Sequence, residues 1–174
     1  MTVLSHQSLV AYARKYGLDW PHIGPNSVDL RLHPEIIQKT WIVPGQGAPI
    51  YPHRPRIKEE KIFLTQENPS ITLYPGSFYL CSSVEQVFLA EDVCCKIMMR
   101  SSPARDGMTH HTAGLGDAGW HGQVTFEFVT FLPITLHLHQ RVAQLTIETL
   151  DMPTDTPYTG KYKGQQGPTE AYQQ

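Results

Sequence analysis

Between Arg100 and Glu127 the chain reads RSSPARDGMTHHTAGLGDAGWHGQVTFE, and the residue types that do chemistry crowd there. Arg100, Ser101, Ser102 and Arg105 place two guanidiniums and two hydroxyls within six residues. Such a set grips phosphate oxygens through charge-assisted hydrogen bonds, and it equally makes a plain serine turn between solvated charges. Gly114, Gly116, Asp117 and Gly119 follow as a bend through which backbone can approach a ligand, although an aspartate between glycines is more often a turn residue. Trp120, past the bend, is either a flat platform for a ring or a piece of core. In VTFEFVTF, Val124, Phe126 and Phe128 share one strand face, and Thr125, Glu127 and Val129 share the other. Glu127 is therefore a solvent-facing strand carboxylate or an acid/base held inward; with Thr125 on its face, pattern alone favours the first.

The elements that must position these residues read as strands. Thr2 to Gly17 predicts a short helix, with Ser5 as cap, apolar Leu9, Val10, Tyr12 and Ala13 at helical spacings, and Gly17 as stop. SVDLRLHP predicts a strand in which Val28, Leu30 and Leu32 alternate with Ser27, Asp29 and Arg31. Pro44 to Pro55, with four prolines and two glycines, predicts a long surface loop. IFLTQ, SITLYPG, SFYLCSS, EQVFLA and CCKIMMR are short apolar runs with turn punctuation between them, the rhythm of an all-β barrel or sandwich. LPITLHLH and Val142 to Leu150 continue it. From Asp151 the composition turns to Pro, Thr, Gly, Lys, Tyr and Gln, so residues 1–150 form the body and 151–174 a flexible tail that builds no core.

Composition narrows the function classes. The 174 residues carry 14 Lys and Arg against 16 Asp and Glu, net −2, which leaves no broad basic field for a nucleic acid partner. No apolar run reaches membrane-spanning length and no signal peptide opens the chain, so a cytoplasmic protein without a membrane partner is expected. Cys94 and Cys95 are adjacent and Cys81 stands alone, the pattern of buried small hydrophobes rather than a disulfide framework. His110 with His111, and His137 with His139, form pairs; the second alternates like a metal-ligand spacing but is weakly specific, and no protein-held metal is expected. The His/Cys-Glu and Pro-Cys-x-x-Cys elements of zinc nucleoside deaminases are absent, as are a Walker A loop, a dinucleotide fingerprint and a Gly-x-Ser-x-Gly elbow.

RSSPAR, TAGLGDAGWHG, TFEFV, QRVAQL and KYKGQQGP, together with NSVDLRL near the start, resemble the dCTP deaminase branch of the dUTPase-like superfamily over most of the chain. The resemblance implies a distorted β-barrel of the β-clip type, with a short N-terminal helix, assembled as a homotrimer with nucleotide sites between subunits. It implies zinc-free deamination of dCTP, in which Glu127 shuttles the proton. Ser101, Ser102 and Arg105, after Arg100, would hold the triphosphate and order the attacking water. Ala113 would touch the base and water through its carbonyl, Trp120 would pack on the deoxyribose, and Gln144 would contact phosphate. Tyr158, Lys161 and Gln165 would close over the nucleotide, and His110 would take part in inhibition by dTTP.

Two departures from the family pattern matter, the first for the product. The strictly deaminating branch usually places an arginine where this chain has Leu115, and TAGLGDAGW is more similar to the bifunctional branch, which also cleaves the triphosphate to give dUMP and diphosphate. There Asp117 would orient water, with Mg²⁺ bridging the phosphates and dUTP as the second substrate. The loop from Arg105 to Ala113 is one residue shorter than is common, and Pro103 is unusual. A deaminase that stops at dUTP, or a catalytically idle nucleotide-binding regulator of the same fold, are the alternatives.

Overall fold

The computed structural model of the chain describes residues 2–41, 57–110 and 113–171. The expected Pro44–Pro55 loop lies outside them, as do His111 and Thr112. Helix α1 runs His6–Tyr16 and ends where Gly17 takes the left-handed conformation, φ 64°, with its N–H donating back to Arg14 O. It begins later than its sequence predicts because the preceding residues are claimed by a strand: Val3 bridges to Glu148, and Leu4 N–H donates to Ile147 O at 2.9 Å. Leu9 and Ala13 carry its apolar stripe into the core.

The strands are β1 Val28–Arg31, β2 Glu35–Trp41, β3 Ile57–Phe63, β4 Ser70–Leu73, β5 Ser77–Phe88, β6 Val93–Met99, β7 Met108–His110, β8 Leu115–Gly116, β9 His121–Thr130, β10 Ile134–His137 and β11 Arg141–Thr149. A short helix α2, Ser101–Arg105, joins β6 to β7. Among the described residues they pair as a four-stranded sheet β1-β11-β6-β8, a five-stranded sheet β3-β2-β5-β9-β7, and the pair β10-β4. The fold is thus mainly β, a distorted barrel around one core. Period-two alternation sorts each sheet. In the larger one Tyr79, Cys81, Phe126 and Phe128 are wholly buried, while Thr125 and Glu127 stand half-buried on the opposite face. In the smaller one Val28, Leu30 and Leu145 point inward, and Asp29, Gln144 and the half-exposed Met98 point outward.

Four local expectations need correction. SFYLCSS and EQVFLA are one twelve-residue strand, β5, rather than two. The Ser82–Ser83 punctuation marks a register shift instead of a turn, because Val124 N–H donates to Ser83 Oγ at 2.9 Å and Ser83 Oγ donates to Glu85 O at 2.8 Å, carrying the ladder across the irregularity. EIIQKTW, unassigned from sequence, is β2, and its partner β3 begins at Ile57, five residues before IFLTQ. Its alternation is concealed by Gln38 and Lys39, the latter held by carboxylates on both sides. His137 and His139 do not share a strand face, since β10 ends at His137 and His139 adopts a left-handed backbone, φ 59°. The tail hydrogen-bonds to β9 and packs Tyr158 against the core.

All three cysteines are free thiols, and burial pushes Cys95 up to about 12 and Cys81 higher still. Cys95 also sets the path of the glycine bend: a β-carbon on Gly116 would stand 2.5 Å from Cys95 Sγ. Only a glycine there lets β8 pair with β6.

Candidate active site

A cavity of about 410 Å³ lies on the outer face of the five-stranded sheet. Leu80 and Glu127, neighbours in the β5–β9 ladder, form its floor with Thr125 and Phe78. Ala113, Leu115 and Asp117 line one side from the bend, and Trp120 closes the end. Phe78 and Leu80 beneath, the Glu127 carboxylate among them and an indole at the end make a slot suited to a flat, polar-edged ring. Glu127 reaches this place because Phe126 and Phe128, stacked 5.2 Å apart on the core side, fix the register of β9. Its backbone N–H donates to His110 Nδ1 at 3.1 Å, so an imidazole on β7 takes over where the ladder between β7 and β9 runs out.

The tail roofs the cavity from the same chain. Gly164 N–H donates to His121 O at 2.8 Å, Gln123 N–H to Gln165 O at 3.0 Å, and Gly167 N–H to Gln123 Oε1 at 2.6 Å. These bonds lay the tail parallel to the first half of β9, along the edge that β7 leaves open. Two glycines admit it. At Gly122, φ 143°, a β-carbon would stand 2.9 Å from Gln165 O; at Gly119, φ 85°, one would stand 2.6 Å from Pro157 Cβ. Trp120 is buried under this strap and donates Nε1–H to Tyr162 O at 2.9 Å, which satisfies the indole and fixes its plane. Tyr158 N–H donates to Ala118 O at 2.8 Å, and Gln165 Nε2 donates to Gln123 O at 2.7 Å. Farther on, Glu170 pairs with Lys39, whose Nζ also lies 3.3 Å from Glu59.

Of the residues singled out from sequence, the cavity brings together Glu127, Ala113, Leu115, Asp117, Trp120, Tyr158 and Gln165. Leu115 and Asp117 are exposed at its mouth. Arg100, Ser101, Ser102, Arg105, Gln144 and Lys161 are not among the described residues lining it. Arg100 Nε and Arg141 Nη1 lie 3.1 and 3.2 Å from Asp29 Oδ2, and Gln144 Nε2 donates to Asp29 Oδ1 at 3.1 Å. This cluster occupies the outward face of the other sheet. Ser101, Ser102 and Arg105 stand exposed on α2 beside it, while Pro103 anchors that helix in the core. Lys161 is exposed in the tail turn, 5.6 Å from the Tyr162 ring centroid.

Lys39, Phe78 and Tyr162 line the cavity and were not found from sequence. Lys39 belongs to the strand that was not recognised; Phe78 and Leu80 alternate with buried Tyr79 and Cys81, and that second apolar face was the available signal.

The chain is a mainly-β barrel with a strand carboxylate, a buried indole and a tail over the cavity that holds them. The profile of the dCTP deaminase-like family matches residues 3–150, and the chain belongs to that family. It is 35% identical over 161 positions to a dCTP deaminase, dUMP-forming, of Methanosphaera stadtmanae, covering 84% of this chain and 78% of that one. To the dUMP-forming dCTP deaminase of Methanothermobacter thermautotrophicus it is 34% identical over 188 positions, covering 97% and 92%. The crystal structure of the 2'-deoxycytidine 5'-triphosphate deaminase of Agrobacterium tumefaciens shares the fold with a TM-score of 0.65 at 20% identity, over 84% of this chain. The match spans about half that protein, 48% of its length. No helix among the described residues is long and apolar enough to cross a membrane.

Proposed function

We propose that this chain hydrolytically deaminates dCTP without zinc and couples the step to triphosphate cleavage, giving dUMP and diphosphate. The observation that carries the reading is Glu127, a half-buried carboxylate on the floor of a slot closed by Trp120, in a chain about 35% identical to enzymes named for that reaction. With the pyrimidine in the slot, Glu127 takes one proton from water as its oxygen adds to C4 and passes it to N3, then carries the remaining proton of the new C4 hydroxyl to the departing ammonia. Trp120, immobilised by its bond to Tyr162, packs against the deoxyribose and leaves no room for a 2′-hydroxyl. The body is residues 1–150, and 151–174 act as a lid.

The phosphates belong to Arg100, Ser101, Ser102, Arg105 and Gln144. Because these project from a different sheet, the reading places them in the site of a neighbouring copy within a homotrimer. Asp117, an exposed carboxylate at the cavity mouth, fits the role of orienting water near phosphate-bound Mg²⁺, whose chemistry is to neutralise charge developing on the phosphates. Leu115 beside it puts no cation where the strictly deaminating branch has an arginine, which favours dUMP over dUTP. His110, bonded to the Glu127 backbone and three residues before Ala113, fits a route for dTTP feedback.

Incubation with dCTP and Mg²⁺, resolved by chromatography, tests the whole reading. Ammonia with dUMP and diphosphate is expected. Accumulating dUTP would replace coupled cleavage by deamination alone, and tight binding without turnover would make the chain an idle nucleotide-binding regulator.

A further inference from the structure

A second hollow, also about 410 Å³, adjoins the first and shares Lys39 and Phe78 with it. Ile57, Gly76, Ser77 and Val129 complete its lining. Strand register fixes how the two hollows lie. Lys39 pairs with Phe78 across β2 and β5, and Leu80 pairs with Glu127 across β5 and β9. Continuing the second register sets Phe78 beside Val129, so Lys39, Phe78 and Val129 form the row next after Glu127. Two strand residues span about 7 Å, and this row therefore begins just past the carboxylate, on the side away from Trp120.

A pyrimidine nucleotide must lie along that axis. If Trp120 holds the sugar and Glu127 meets C4, the ring points from Trp120 towards Val129, with its distal atoms C4 and C5 leading. A group on C5 is bonded to the neighbour of the reacting carbon and leaves the ring at its far edge. It enters the second hollow, whose nearest walls are the Phe78 ring and the Val129 methyls.

We propose that the site also accepts dCTP carrying a small apolar C5 substituent, with 5-methyl-dCTP as the type substrate. The inference rests on the dCTP-deaminating reading and extends its substrate class. Water adds to C4, the C4–N4 bond breaks, one water proton ends on ammonia and the other on N3, and C4 becomes a carbonyl. 5-Methyl-dCTP and water thus give thymidine triphosphate and ammonia, with no other reactant consumed. Where cleavage is coupled, a second water gives thymidine monophosphate and diphosphate.

The test measures initial rates of ammonia release from dCTP and from 5-methyl-dCTP, for the full chain and for Val129→Phe. The parent is expected to show kcat/KM values within about tenfold of each other, since a methyl in an apolar hollow changes discrimination by roughly that factor. Val129→Phe narrows the hollow where it meets the Glu127 row and is expected to lower kcat/KM for 5-methyl-dCTP about tenfold more than for dCTP. Val129→Leu, a smaller increment, serves if the Phe variant does not fold. Turnover of dCTP with 5-methyl-dCTP more than about tenfold worse in the parent would overturn the proposal alone. So would equal losses on both substrates in the narrowed variant. No turnover of dCTP would overturn the underlying reading and the proposal with it.

Discussion

Glu127 stands on a face that the chain roofs with its own tail, whereas Ser101, Ser102 and Arg105 stand on a short helix open to solvent. The two regions lie on outward faces of different sheets and are finished to different degrees. Around Glu127 the floor, end wall and roof are tied by named bonds: Trp120 to Tyr162, Gln165 to Gln123, and Glu170 to Lys39. Around α2, Asp29 gathers Arg100, Arg141 and Gln144, and among the described residues the serines stand exposed. One half is enclosed by its own chain, and the other presents donors outward. The proposed trimer would set one against the other.

The largest effect should come from the enclosed half. Glu127→Gln keeps size and hydrogen bonding but removes the proton acceptor, and kcat for deamination is expected to fall about 10³-fold. Nucleotide affinity, measured by calorimetry, should change only a few-fold. Deamination at parental rates would sink the role of Glu127 and the contrast built on it.

The open half is broken next, in combination with the first. Arg105→Ala should be nearly inactive, since a phosphate-gripping guanidinium is lost. If Glu127 and Arg105 of one site come from different chains, remixing the two inactive variants restores intact sites. Random exchange predicts about a quarter of the parental activity. A mixture as inactive as its components would mean that both residues serve a site within one chain.

Much of this contrast was legible in sequence, for reasons that differ by region. β9 declared both faces because apolar Val124, Phe126 and Phe128 alternate with polar Thr125 and Glu127. Val28, Leu30 and Leu32 did the same for β1. β2 stayed hidden since Gln38 and Lys39 interrupt its apolar pattern, and Lys39 is tolerated by pairing with Glu59 and Glu170. β5 was divided because a serine pair reads as a turn until Ser83 is seen bonding across to Val124. The order in the tail came from backbone bonds to an open strand edge, which composition does not reveal. Which chemical residues share a cavity is a matter of which sheet each strand joins, and spacing is silent on that.

The tail provides a third, smaller break. Deleting Gly160 to Gln174 removes the roof but no wholly buried core side chain, so activity is expected to fall about tenfold or more while the melting temperature moves by a few degrees. A truncated chain with undiminished turnover would show that the roof has no part in the reaction. Loss of folding instead would mean that the strap is part of the barrel.

The smallest expected effect concerns the tail's last anchor. The hydrogen bond from Lys39 holds the Glu170 carboxyl below its ordinary value of 4.5, and Glu59 assists. Burial pulls the Lys39 ammonium down, but its bonds to Glu170 and Glu59 outweigh that and leave it raised. A glutamate depressed by docking stabilises the docked tail fully above its ordinary value. That contribution is lost as pH falls through the lower, docked value. Lys39 remains protonated throughout, so Glu170, tied to Glu59 beside it, sets the acid limb. Glu170 is 43% exposed, and solvent screening limits the anchor to about 0.5 kcal/mol. The Ala171 methyl signal in NMR should therefore shift in one titration below pH 4.5 and stay flat up to neutrality. In Glu170→Gln the methyl should hold the acid-form position at every pH. An unchanged titration in that variant would assign the acid limb to another group and remove Glu170 as the anchor that closes the roof over Glu127.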